Sequence, residues 1–246
     1  ARCRRLMSSY SPRVTILKYQ RPDPYGPIPA RSFQRQMAFL HAARYHILSL
    51  RELVTGLEGR ASIPNRAVHL TFDDATADFA GQAWPVMRRY GFPASVFLVS
   101  DCIGKSAEWL GKNVGEAVPL MDAETILRLQ SEGVRFGSHT RTHAHLISLD
   151  PERLNDEVTT SRAALTQLLG RDVFAFCYPY GEVNRAVLRA VGNAGYRLGF
   201  TGERNRATRG THPLILPRHA VSFGTGIAGL FWKLALQPGG KPLELT

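Results

Sequence analysis

Short apolar runs alternate along the whole chain with stretches of three-to-four-residue period. Val14–Tyr19 and Ala67–Phe72 read as buried strands, and so do residues 94–99, 134–138, 173–178, 198–201 and 214–216. Between these runs, Phe33, Met37 and Leu40 fall on one face of a helix. Asp150-Pro151 opens another helix, with a capping carboxylate followed by proline at the first helical position. Gly195 closes one over residues 185–194. Strand-helix alternation at this density predicts an α/β fold, a parallel sheet wrapped by helices, in one domain. Residues 101–120 form the longest irregular stretch, carry Trp109, and read as a loop over the rim of the sheet.

Two strand ends carry groups suited to metal. Thr71-Phe72-Asp73-Asp74 ends one apolar run, and one carboxylate there would suffice for solubility. Ser138-His139-Thr140-Arg141-Thr142-His143 ends another, and its two histidines stand at i, i+4, a spacing that on a helical turn aims both imidazoles at one point. Two His and one carboxylate leave a coordination position open, as catalytic zinc sites do. The second carboxylate is then free to move protons, which points to metal-assisted hydrolysis. Each half alone has a plainer explanation: a solvated loop or helix cap for the Asp pair, chance spacing for the histidines. Their joint placement at strand ends, where α/β folds collect reactive groups, gives them force.

With Phe176-Cys177-Tyr178-Pro179-Tyr180-Gly181 as a third segment, these motifs resemble those of the polysaccharide deacetylases (carbohydrate esterase family four). The likeness runs from about Val14 to Leu236. Residues 33–53, with Tyr45-His46-Ile47-Leu48-Ser49-Leu50, and Leu216-Pro217-Arg218 are similar to the permuted branch that acts on poly-N-acetylglucosamine. The resemblance implies a distorted, incompletely closed (β/α)7 barrel over residues 14–236, between a basic segment (1–13) and a tail (237–246). It implies a metal held by Asp74, His139 and His143: Zn²⁺, or Co²⁺, Ni²⁺ or Fe²⁺, which such ligand sets also accept. It further implies Asp73 as general base, the backbone N–H of Tyr180 as oxyanion donor in a turn stiffened by Pro179, and Tyr178 and Pro179 as substrate-binding residues alongside Trp109. The substrate class implied is an N-acetylated glycan.

The chain also departs from that pattern. Relatives carry Tyr-His where this chain has Tyr19-Gln20, and that His protonates the leaving amine. Gln can only hydrogen-bond. The third motif lacks the Arg common in the wider family and has Cys177 near its place, while Ala75-Thr76 replaces the usual Gly-Tyr. Arg218 is the candidate to stand in for that Arg beside Asp73, and His219 the candidate acid, although strand neighbours point to opposite faces. His145 competes weakly as a ligand, because residues two apart on a helix face different ways. His69 reads as core or lining, and His41, His46 and His212 show no spacing signal. A glycan-binding relative impaired by the loss at Gln20 is the first alternative.

Composition narrows the picture. A chain of 246 residues with 44% hydrophobic side chains can bury one sizeable core, and no run of 18 apolar residues offers a membrane span. Residues 1–10 show no apolar signal core, so a cytoplasmic location is expected unless a leader has been removed. Cys3, Cys102 and Cys177 are widely spaced and make neither a disulfide framework nor a cysteine zinc site. Net charge is +11, and residues 1–60 contribute eleven basic against three acidic residues. That field favours an anionic polymer or membrane surface, a second alternative function, and disfavours nucleic acid, since no aromatic interleaving accompanies it.

Overall fold

The computed structural model describes residues 12–19, 30–111, 117–222 and 224–236. Its strands are β1 (Val14–Tyr19), β2 (His46–Ile47), β3 (Ala67–Phe72), β4 (Ser95–Leu98), β5 (Ser106–Ala107), β6 (Val118–Pro119), β7 (Arg135–Ser138), β8 (Ala175–Cys177), β9 (Leu198–Phe200) and β10 (His219–Val221). The α-helices are α1 (Ala30–Ala42), α2 (Leu50–Leu57), α3 (Trp84–Arg89), α4 (Glu108–Gly111), α5 (Ala123–Ser131), α6 (Pro151–Leu169), α7 (Arg185–Asn193) and α8 (Ile227–Phe231). The main sheet is parallel, in the order β10-β1-β3-β4-β7-β8-β9, with β2 on the first half of the β3 edge whose second half pairs with β4. It curls into an open, incompletely closed barrel. A single bridge between Phe200 and Leu216 stands beside the gap between β9 and β10.

Side-chain alternation along the strands builds two cores. Leu17, Tyr19, Leu70, Phe72, Phe176, Tyr178 and Val221 face the helices. Ile16, Phe97, Ala175, Cys177 and Phe200 fill the barrel. The helices form where the pattern puts them: α1 buries Phe33, Met37 and Leu40, and α7 ends before Gly195, whose φ of 88° suits glycine. Asp150 Oδ1 accepts from the Arg153 N–H at 2.9 Å, a cap that contributes about 1 kcal/mol to α6.

Two elements differ from expectation. Residues 213–215 form a 3₁₀ turn, and the last strand is β10, paired in parallel with β1. Proline at positions 213 and 217 withholds two ladder N–H groups, so between them only Leu216 bridges β9, and the ladder with β1 begins at His219. The 101–120 stretch is more ordered than a plain loop: β5 and β6 pair antiparallel, and Ala107, Leu110, Val118 and Leu120 form a small core of their own. Among the described residues no helix is long and apolar enough to cross a membrane.

Candidate active site

Asp73 and Asp74 leave the end of β3 in different directions because the backbone turns left-handed there, with φ of 66° at Asp74 and 55° at Ala75. Left-handed backbone costs a residue with a Cβ roughly 1–2 kcal/mol. Thr140, His143 and Tyr180 also have positive φ, so five of the seven described non-glycine residues of this kind ring one site. Backbone in this sparsely populated region concentrates at active sites and ligand clamps.

His139 and His143 do not lie on a helix, contrary to the spacing argument. Residues 139–143 are an irregular loop, since the left-handed Thr140 and His143 break any helical turn. Glu157 on α6 knits this loop. Its carboxylate accepts the N–H groups of Arg141 and Thr142 at 2.9 and 3.0 Å and the Thr142 hydroxyl at 2.5 Å. The His143 N–H donates to Thr140 Oγ1 at 2.9 Å. The convergence of the imidazoles is thus a property of the loop.

Three donors meet at one point. Asp74 Oδ1 lies 3.3 Å from His143 Nε2 and 3.7 Å from His139 Nε2, and all three side chains are buried. His139 Nδ1 is tied to the Cys177 carbonyl at 2.8 Å, which leaves Nε2 as the nitrogen facing the cluster. Neither ring nitrogen of His143 has a hydrogen-bond partner, although both are buried. Burial, with His139 beside it, holds the His143 imidazole far below its ordinary pKa, hence neutral and able to offer a lone pair. An orphaned neutral imidazole is costly without a ligand. One carboxylate oxygen and two imidazole nitrogens fit a divalent ion such as zinc.

A second triplet, Asp73, His139 and Cys177, is equally compact but already holds a cation. Arg218 donates Nη1 to Asp73 Oδ1 at 2.7 Å and Nη2 to Oδ2 at 2.9 Å, with Nη2 also 3.1 Å from Cys177 Sγ. Its Nε donates to the Thr201 carbonyl at 2.9 Å. Burial pushes the Asp73 carboxyl up, but Arg218 and then His139 outweigh it, so the group sits well below the usual carboxylate range. Burial also pushes the Cys177 thiol well up, which leaves it protonated and inert.

The remaining residues singled out by sequence are placed unevenly. Gln20 lies outside the described residues. Arg218 reaches Asp73 as anticipated. His219 does not join the site: it pairs with Leu17 in β10, on the helix-facing side shared with Val221, opposite to Arg218. Tyr178 is no substrate contact either, because it is fully buried among the helices with its hydroxyl donating to the Leu214 carbonyl at 2.9 Å. Pro179 is buried in the turn beneath Tyr180. Trp109 does not stand out over the rim. Its indole N–H donates to Asp74 Oδ1 at 3.0 Å and its ring stacks on His143, 4.4 Å between centroids and 8° from parallel.

The exposed aromatic at the mouth is instead the Tyr180 ring, 48% accessible, edge-on to His143 at 4.8 Å and stacked on His145 at 3.7 Å. His145 is paired with Glu182 at 3.0 Å and so serves the rim rather than the cluster. Gly181 permits this turn: its φ is 77°, and a Cβ there would meet the Gly202 nitrogen at 2.6 Å. Glu157, and the contact by which Thr71 accepts from Arg218 at 3.2 Å, gave no sequence signal, because the partners are remote in the chain.

A parallel barrel with an Asp-His-His cluster beside an Arg-clamped carboxylate, at the strands' carboxyl ends, defines a class of hydrolase-like site. The profile of that class agrees: "Polysaccharide deacetylase" matches residues 60–199, and the chain belongs to this family. The poly-beta-1,6-N-acetyl-D-glucosamine N-deacetylase of Staphylococcus epidermidis is 26% identical over 201 residues, 78% of this chain and 67% of that protein. The chain spans about two thirds of the length of the curated relatives it matches. Among solved structures, IcaB from Ammonifex degensii superposes with a TM-score of 0.79 at 23% identity, covering 92% of this chain and 98% of that one. The Streptococcus pyogenes deacetylase PplD superposes with a TM-score of 0.78 at 23% identity, covering 93% and 100%. Both likenesses establish the shared fold.

Proposed function

We propose that the protein is a metal-dependent hydrolase that removes N-acetyl groups from an amino sugar in a polysaccharide or its precursor, acting on a non-peptide C–N bond. The observation that carries this reading is the Asp74-His139-His143 cluster beside the Asp73-Arg218 pair. Asp74, His139 and His143 would hold the ion. When bound, a divalent ion supplies Lewis acidity at the acetamide carbonyl and lowers the pKa of water.

The chain's own residues supply the rest. Asp73 takes the proton of the attacking water, held in orientation by both Arg218 nitrogens. The Tyr180 N–H, in its left-handed turn beside His143, donates to the developing oxyanion; one such donor contributes roughly 2.7–4 kcal/mol to lowering the barrier. Gln20 cannot protonate the leaving nitrogen. Asp73 can: a carboxyl with so low a proton affinity makes a weak base but a strong acid, and it returns the water's proton as the C–N bond breaks. Acetate and the free amine leave. The Tyr180 ring forms one wall on which a sugar face can stack.

The test is acetate release from N-acetylglucosamine oligomers by metal-stripped protein, with and without Zn²⁺ or Co²⁺. Turnover should require added ion, and Asp73→Asn should abolish turnover while retaining stoichiometric metal. Metal binding without acetate release from any acetamide, alongside hydrolysis of acetate esters, would favour the impaired relative that Gln20 suggests. Absence of both metal binding and turnover would refute the proposal.

A further inference from the structure

The outer wall of the barrel carries a second feature, which shares no residue with the site above. α1 and α3 border a groove of about 690 Å³ lined by Arg31, Gln34, Arg35, Arg89 and Tyr90, and no acid is among its lining residues. All three arginines are exposed. Arg60, Arg88, Arg128, Arg141, Arg162 and Arg197 each pair with a carboxylate, whereas Arg31, Arg35 and Arg89 make no ion pair or hydrogen bond among the described residues.

This arrangement works against the helix that carries it. α1 has no acid in its first turn, where its dipole would favour one, and instead carries Arg31 there. Arg35 follows at i+4, so two like charges face each other one turn apart. Glutamate at either position would serve the helix better. The fold therefore gains nothing from this charge, and an anionic ligand would.

We propose that this groove binds a strand of acidic polysaccharide. Guanidinium forks match carboxylate, sulfate and phosphate bidentately. Arg31 and Arg35 are about 6 Å apart along the helix axis, so they can engage successive charges of one chain. Tyr90 adds a ring for a sugar face. The groove is concave, which suits a strand lying in it; a planar lipid surface would touch only its rim.

The experiment is titration of fluorescein-labelled oligogalacturonate against the full chain, read by anisotropy at low and high salt. The variant R31A/R35A/R89A is compared with R51A/R135A/R189A, which removes the same charge from exposed sites elsewhere. The groove variant should bind about ten-fold or more weakly at low salt, with a shallower salt dependence, while the control stays within about two-fold. Thermal melts confirm that both variants fold. Equal losses in the two variants would reduce the effect to diffuse charge and overturn the proposal. So would absence of binding by the wild type, or binding that appears only on phosphatidylglycerol vesicles. Because no catalytic group lines the groove, failure here leaves the deacetylase reading untouched, and failure of that reading leaves this one standing.

Discussion

Arg218→Met isolates what the buried guanidinium does. Methionine roughly fills the volume, so the cavity contribution is small, but it leaves the Asp73 carboxylate buried with its principal partner gone. Both side chains are almost fully buried, and Arg218 spans Asp73, Cys177, Thr71 and Thr201. Removing one member of such a pair costs about 3–5 kcal/mol. The pH dependence distinguishes this from simple loss of packing. In the wild type, the folded-state pKa of Asp73 lies below its unfolded value, so the group contributes stability above about pH 3.9 that is lost as pH falls through the folded value. In Arg218→Met, burial is opposed only by His139 and Lys18 and raises that pKa, so the ionised carboxylate destabilises the fold at neutral pH. Protonation relieves this as the medium is acidified. Urea denaturation of metal-stripped protein should therefore show the gap between wild type and variant widest near pH 7 and narrowing toward about pH 4. Asp73→Asn/Arg218→Met should recover much of the loss, with a coupling energy of about 2 kcal/mol or more. A loss under about 1 kcal/mol, a gap independent of pH, or additive single effects would refute the argument that this pair is buried and coupled.

Trp109→Phe keeps the ring on His143 but deletes the N–H that Asp74 accepts, and should lower metal affinity about 10–100-fold in competition with a chromophoric chelator; affinity unchanged within about two-fold would show that the indole only packs. His69 is buried in the barrel with Nδ1 on the Leu48 carbonyl at 2.8 Å, and burial, with Arg218 nearby, lowers its pKa from 6.5 to about 4. The unfolded chain takes up that proton first as pH falls, so wild type should lose roughly 3 kcal/mol between pH 6.5 and 4 relative to His69→Gln. Parallel stability curves for the two proteins would mean that His69 is not held neutral.

The sequence by itself determined most of the scaffold and the chemistry at its strand ends. Continuous apolar runs marked β1 and β3 to the residue, and cap and stop signals marked α6 and α7, because each depends on neighbours in the chain. Asp73-Asp74 and His139…His143 were legible for the same reason: each cluster is local, and a strand end fixes where it emerges. Only the tertiary structure decided how the clusters divide their work. Arg218 meets Asp73 across 145 positions, which no spacing rule reaches. That contact commits Asp73 to the guanidinium and leaves Asp74 to the imidazoles. Left-handed backbone at Asp74, Thr140 and His143 aimed these groups; Asp and His adopt positive φ more readily than most residues, but nothing local shows which of them do. Strand alternation fixed Arg218 and His219 on opposite faces, but which face looks into the barrel depended on the register of β10 against β1. The same register question sent Tyr178 into the helical layer, while Tyr180, two residues later in a left-handed turn, came to the mouth of the site. Local pattern chose the elements; closure of the barrel chose which side chains face one another.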